Sequence, residues 1–388
     1  MNAKPIAFRE FVTYTVQLFM QQPDFVNYDR RFFGGGVHGI RFYDVISTEN
    51  LLRAWKKFSK GKRSHTDVAR FELRLEEHLF SLHERLSSGI WTNDPYICKR
   101  IADPKPRLIH IASVRDRVLY QAVYQQLYRV FDKTFIHDSY ASRESKGTHA
   151  GVRRFAVFAR KVSANHTKPA FVLKCDVRKF FDGIDHALLL SLISKKITDE
   201  KLFELVQTIV RSFEMMHGKG LPLGNVTSQL FANIYLNEFD QFVKHTLKAK
   251  FYIRYCDDFV ILDENRAVLF QHVGAIRNFL RKSLFLELHP NKVSIRALRQ
   301  GTDFLGYVSL PHHRVLRTKT KQRRLKKLTL LSKSIASEED FEPVRPVIES
   351  YLGIVSHCKG EQLKRTIKTM FEKWLQIQSP CYSSSAYV

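Results

Sequence analysis

The chain has 388 residues and carries 63 Lys plus Arg against 38 Asp plus Glu, a formal charge of +25. That length can bury a large core, in two or three subdomains. The charge argues against a neutral, partnerless protein and for a polyanion partner bound with strong salt dependence.

In chain order, residues 1–48 are aromatic-rich and contain Gly34-Gly35-Gly36, read as a loop. Thr48–Trp55 reads as a helix, followed by a basic turn, Lys60-Gly-Lys-Arg63. Phe71, Leu75, Leu79, Leu82 and Leu86 keep helical spacing and Gly89 ends it, predicting one helix. Residues 1–90 are therefore expected to form an N-terminal helical extension. Strand-like pieces at Tyr96–Ile101 and Leu108–Ile111 frame a basic turn with Lys105 and Arg107, and a helix follows from about Val114 to Phe131. Between 171 and 310 the order is strand, helix, helix, hairpin, helix, strand, an approximate split β-α-β unit in an α+β fold. Residues 311–388 turn basic and helical.

Five scattered cysteines (98, 175, 256, 358 and 381) include no Cys-x-x-Cys pair. This argues against a zinc site or disulfide framework and for a reducing compartment. No apolar run approaches the roughly 18 residues of a membrane span. No charged-then-apolar leader opens the chain, so a cytoplasmic location without membrane contact is expected.

The most informative segment is Phe251-Tyr-Ile-Arg-Tyr255-Cys256-Asp257-Asp258-Phe259-Val-Ile-Leu262. Two adjacent carboxylates among β-formers repel each other and gain nothing from burial unless a cation sits between them. A plain solubilising turn is the bland alternative, but tight hairpin turns favour Asn-Gly or Asp-Gly and no glycine is present. A second acid, Asp176, ends the apolar strand Phe171–Cys175 and caps nothing obvious. Asp182 suits a turn, and Asp185 precedes the apolar run Ala187–Ile193 as a helix N-cap. Carboxylates on strand ends can hold two Mg2+ ions, hard cations that also take phosphate oxygens, an arrangement suited to in-line nucleotidyl transfer.

On these motifs the chain resembles the reverse transcriptases. Tyr255-Cys-Asp-Asp258 is similar to the tyrosine-x-Asp-Asp box, and Asp176 with Phe180-Phe181 to the first catalytic block. Leu221-Pro-Leu-Gly224-Asn-Val-Thr-Ser228-Gln229 resembles the glycine block that supports template and nucleotide. Phe304-Leu-Gly306-Tyr307 resembles the primer-grip turn, Pro104–Arg117 the fingers of bacterial, intron-type enzymes, and Ser350-Tyr351-Leu-Gly353 a thumb motif. The resemblance implies a right-hand polymerase, with fingers and a ferredoxin-like palm over 91–310 and a basic helical thumb over 311–388.

The resemblance also implies roles. Asp176, Asp257 and Asp258, with the Val177 carbonyl, would hold two Mg2+ ions, with Mn2+ able to substitute. Lys105 and Arg107 would clamp the triphosphate of a deoxynucleotide, chemistry that suits an Arg fork and a Lys point charge. Phe181 would exclude a ribose 2′-hydroxyl, although it also reads as core beside Phe180. Gly224 would admit close backbone approach. Lys292 would protonate departing pyrophosphate, or be a salt-bridged surface lysine. Arg143 and Lys146 are candidates for template or phosphate contact, and Gly306 for the primer. The basic run with Arg314, Arg317, Lys319, Lys321, Arg323, Arg324, Lys326 and Lys327 reads as a nucleic-acid-binding face for template RNA and nascent cDNA.

Most of that family has glutamine before the glycine and Ser-Pro at the end of the block. Leu223 and Ser228-Gln229 stand here, a combination resembling the reverse transcriptases of diversity-generating retroelements. Those enzymes copy a template-repeat RNA with errors opposite adenine, alongside a small basic helical accessory protein. The rivals are an intron maturase-like or phage-defence reverse transcriptase and, further off, a non-catalytic RNA-binding protein.

Overall fold

The computed structural model describes residues 39–102 and 106–372, so Gly34-Gly35-Gly36, Lys105 and Cys381 lie outside the described residues. Apart from Gly39 these residues fall in one compact unit, Ile40–Val388. A two-stranded hairpin of β1 (Ile97–Ile101) and β2 (Arg107–Ile111) comes first. A four-stranded antiparallel sheet follows, ordered β4 (Phe251–Tyr255), β5 (Asp258–Asp263), β3 (Phe171–Asp176), β6 (Ser294–Ala297). This is the split β-α-β expectation, with further helices inserted between β3 and β4.

Both faces of the larger sheet are covered, which is why its strands read as nearly continuous apolar runs. Leu173, Cys175, Phe259 and Ile261 face the main core, shared with helices Val114–Phe131, Val226–Gln241 and Arg266–Ser283. Val172, Val260 and Leu262 face a second cluster with Phe155 and Phe158 of helix Thr148–Val162. Alternation along a strand therefore puts Lys174 and Asp176 on the same side as Val172, and Asp258 on the same side as Val260.

Helices Phe42–Ile46 and Thr48–Ser59 bury Val45, Ile46, Leu51 and Ala54 completely in the main core. The described part of 1–90 is thus built into that core rather than appended to it. The single helix expected across Phe71–Leu86 is two, Thr66–Leu73 and Leu75–Ser87, because Arg74 leaves helical space (φ −127°, ψ 41°). The apolar spacing survives the break, since Phe71, Leu79, Leu82 and Leu86 are all buried.

The expected boundary at 310/311 falls inside a sheet. Strands β7 (Thr302–Phe304), β8 (Tyr307–Ser309) and β9 (Arg314–Leu316) form it. Arg314, expected on a basic helix, lies opposite Ser309 on a strand, because Leu310 N–H donates to the His313 carbonyl at 2.8 Å and closes a hairpin. Helices Thr318–Ser334, Arg345–Val355 and Glu361–Met370 then pack around Leu328, Ile348 and Ile367.

One buried ion pair ties the sheet to its helices. Arg254 on β4 and Asp240 on helix Val226–Gln241 are 1% and 0% exposed. Arg254 Nε and Nη2 donate to the two Asp240 oxygens at 2.7 and 2.6 Å, and the Tyr252 hydroxyl donates to Oδ1 at 2.7 Å. Removing one partner strands a desolvated charge, which costs about 3–5 kcal/mol. Asp240→Ala is expected to lose stability of that size in chemical denaturation, and a loss below ~1 kcal/mol would mean that the pair is dispensable.

Candidate active site

Asp257 lies in the two-residue turn that joins β4 to β5, with Tyr255 opposite Asp258. The other turn residue, Cys256, has φ +55°, a left-handed conformation that costs a side-chain-bearing residue roughly 1–2 kcal/mol. The tight turn forms without glycine because its surroundings hold it. Arg254 Nη1 donates to the Cys256 carbonyl at 3.2 Å, and Val177 N–H to the Asp257 carbonyl at 3.1 Å.

The register places Asp176, the last residue of β3, directly opposite Asp258, the first of β5. Burial and the Asp176 carboxylate push the pKa of Asp257 up. Burial, opposed by Lys174 and reinforced by Asp176 and Asp257, pushes Asp258 up to about 6. Two lysines answer this concentration of negative charge. Lys292 Nζ lies 2.5 Å from Asp176 Oδ2, and Lys174 Nζ 3.6 Å from Asp258 Oδ2. Asp258 Oδ1 is buried with no hydrogen-bond partner among the described residues.

Among the described residues no three His, Cys, Asp or Glu side chains already form a metal-binding group. The orphaned oxygen and the mutual repulsion are nevertheless what a divalent cation satisfies, and an all-carboxylate set suits a hard ion. The donor chemistry fits.

The remaining candidates take different places. Phe180 is 2% exposed and belongs to the core, whereas Phe181 is only partly buried and its carbonyl accepts from Leu221 N–H at 2.9 Å. The catalytic block and the glycine block therefore meet at Phe181. Leu223 is half-buried and Gln229 exposed. Gly224 has φ +116°, and a Cβ there would stand 3.1 Å from Ile109 Cγ2 of β2, so the position takes glycine on both counts. Arg107 is exposed on β2, and Lys105 lies outside the described residues. Asp185 caps its helix as expected, accepting from Leu188 N–H at 3.0 Å.

Arg143 corrects an expectation. Its guanidinium is committed to Asp132 Oδ1 at 2.6 Å and to the Ile136 and Ser139 carbonyls, so it braces a loop rather than offering a free phosphate ligand. Lys146 donates to the His137 carbonyl at 2.9 Å. Gly306 lies in the β7–β8 turn at φ +87°, and its carbonyl accepts from Arg317 N–H at 3.0 Å. Arg317 Nε donates to Asp303 Oδ1 at 2.6 Å. Lys319, Lys321 and Arg323 are exposed on helix Thr318–Ser334, while Arg324 stacks over Tyr351 at 4.5 Å.

Sequence reasoning missed Lys174, although its position two residues before Asp176 puts it on the same strand face. Lys174 Nζ also donates to the Asp303 carbonyl at 2.6 Å. Charged and polar groups thus run from Asp258 through Lys174 and Asp303 to Arg317.

A sequence profile described as "Reverse transcriptase (RNA-dependent DNA polymerase)" matches residues 94–309. With more than half of its length inside that match, this chain belongs to the reverse transcriptase family. It is an RNA-directed DNA polymerase with the right-hand fold. Protein YkfC of Escherichia coli (strain K12) is 24% identical over 325 residues, 71% of this chain and 83% of that protein. The group II intron-encoded protein LtrA of Lactococcus lactis subsp. cremoris is 27% identical over 186 residues, 45% of this chain and 30% of that protein. This chain therefore spans most of the first relative and under a third of the second. A telomerase from Candida albicans, solved with a fragment of telomeric RNA, aligns with a TM-score of 0.43 at 11% identity, over 76% of this chain and 58% of that one.

Asp258→Asn removes one of three mutually repelling carboxylates. In chelator, the variant is expected to melt at or up to ~3 °C above the wild type. Calorimetry decides this, and a drop of several degrees would mean that contacts other than repulsion govern the site.

Proposed function

We propose that this reverse transcriptase copies a template-repeat RNA into cDNA for diversification of a target gene, with frequent errors opposite adenine. The observation that carries the chemistry is the register placing Asp176 against Asp258 beside Asp257. Asp176, Asp257, Asp258 and the Val177 carbonyl would hold two Mg2+ ions, replaceable by Mn2+, and the chemistry such ions would supply is activation of a hydroxyl nucleophile and charge stabilisation on a leaving group. Lys105 and Arg107 bind the triphosphate of the incoming deoxynucleotide, and Phe181 packs under its sugar. Lys292 orients Asp176 and can pass its Nζ proton to pyrophosphate. Residues from 91 through β6 serve as fingers and palm. Gly306, in the turn of the β7–β9 sheet, and the cations Arg317, Lys319, Lys321, Arg323 and Arg324 that follow that sheet serve as a thumb gripping the RNA–cDNA duplex. A small basic helical accessory protein and a cytoplasmic location complete this reading.

Leu223 supports the retroelement subclass. It offers only apolar surface where most of the family has an amide, so one hydrogen bond that favours correct geometry is lost. Discrimination depends on such differences in the transition state. A second reading, an intron-type reverse transcriptase, is favoured by the similarity to LtrA.

Three measurements test this. Asp257→Ala is expected to abolish divalent-dependent DNA synthesis on RNA while its far-ultraviolet dichroism is unchanged; near-normal extension would remove the metal assignment. Phe181→Val is expected to admit ribonucleotides at least about tenfold more readily, the scale of a lost steric contact. Unchanged sugar selection would return Phe181 to a packing role. Sequencing of cDNA from a defined RNA, with and without the accessory protein, is expected to show errors concentrated opposite adenine and altered by Leu223→Gln. Uniformly low error in both conditions would leave the intron-type reading.

A further inference from the structure

The Tyr96 hydroxyl stands at the root of the β1–β2 hairpin, one residue before β1, and joins that hairpin to three helices. It lies 3.0 Å from the Tyr120 hydroxyl on helix Val114–Phe131 and 3.1 Å from Ser212 Oγ at the end of helix Glu200–Arg211. Asn225 Nδ2, at the start of helix Val226–Gln241, donates to it at 3.3 Å. The other partners fix where the protons go. Tyr120 gives its proton to Asn93 Oδ1, and Ser212 gives its own to the Ile209 carbonyl. Both oxygens are therefore left to accept from Tyr96, which in turn accepts from Asn225.

Asn225 makes this contact at the expense of another. It is the N-cap of its helix, a position where an asparagine side chain ordinarily accepts from the first backbone N–H groups. Among the described residues it makes no such bond; it is buried, and its amide turns to Tyr96 instead. Asn225 directly follows Gly224, where a Cβ would press on Ile109 of β2. Tyr96 before β1 and Ile109 on β2 thus meet the glycine block at two successive residues, one by a hydrogen bond and one by packing. The same hairpin carries Arg107 at the far end of its ladder, opposite Ile101. The glycine block, through Leu221 N–H, is bonded to the Phe181 carbonyl.

We propose that Tyr96 is a positioning residue for the incoming nucleotide: its hydroxyl, through Asn225, sets the fingers hairpin against the glycine block and so fixes the span between Arg107 and Phe181. The inference deepens the polymerase reading, since it rests on Arg107 and Phe181 receiving the two ends of one deoxynucleotide. Tyr96 acts through Asn225 and not on the substrate itself. Without the hydroxyl the hairpin is freer to tilt on the block, and nucleotide binding has to restore the alignment. Affinity for the nucleotide then falls, while the rate from the docked state is kept.

Single-nucleotide incorporation by the full-length protein on a primed RNA template, at varied deoxynucleotide concentration in Mg2+, separates apparent Kd from maximal rate. Tyr96→Phe keeps the ring against His110 and Phe213. It is expected to raise Kd about fivefold, the fold-change of one neutral hydrogen bond, with the maximal rate within about twofold of wild type. Asn225→Ala should raise Kd by the same factor, and the double variant should be no worse than either alone. Tyr120→Phe removes a neighbouring hydroxyl but leaves the bond to Asn225, so it should not move Kd, whatever it does to the melting temperature. An unaltered Kd in Tyr96→Phe, multiplied losses in the double variant, or an equal rise in Tyr120→Phe overturns the positioning role. Failure of the wild type to add any nucleotide would instead overturn the polymerase reading on which that role rests.

Discussion

The buried pair between Arg254 and Asp240 is the contact on which the rest of the site depends. Arg254 occupies the strand that leads into the Cys256-Asp257 turn, and Asp240 sits on the helix that begins with the glycine block. The same guanidinium reaches Asn233 Oδ1 at 3.1 Å and the carbonyl of strained Cys256. Its backbone carbonyl accepts from Tyr140 N–H, and Asn233 Nδ2 donates to the Ala141 carbonyl at 2.9 Å. Hairpin, helix and the 138–141 loop are therefore fixed to one another around Arg254, through its guanidinium, its backbone carbonyl and the Asn233 amide. A hydrophobic residue there would pack, but it would not aim the turn.

That rigidity has an electrostatic purpose. Three carboxylates, two at the ends of adjoining strands and one in the turn beside them, destabilise one another, and burial adds to the cost. Two charges 4 Å apart interact by roughly 4 kcal/mol at an effective dielectric constant of 20, so the cluster persists because the flanking fold holds it and because Lys174 and Lys292 partly neutralise it. Through Asp303, Lys174 also joins the site to Arg317 at the foot of the basic helix.

Much of this was legible in the chain, for identifiable reasons. Two-sided burial makes β3 and β5 nearly continuous apolar runs, so an acid at either strand end stands out. The +25 charge and the basic run after Arg314 are composition, which needs no fold. Helix Val114–Phe131 appears with the limits its periodicity predicts. Less legible were features set by distant partners. The break at Arg74 leaves apolar spacing intact, and β9 is too short to show a period. Arg143 has the composition of a phosphate ligand but a loop geometry that consumes its donors.

The sequence by itself determined the family and singled out the three aspartates as candidates, because motif spacing and strand period are local properties. Tertiary structure alone decided which phenylalanine is core, since Phe180 and Phe181 differ only in the direction they face from one short helix. It also decided that Gly224 must admit Ile109, and that the Asn225 amide meets Tyr96. Those facts depend on segments more than a hundred residues apart, brought together by burial of a common core, and no local pattern in the chain encodes such a meeting.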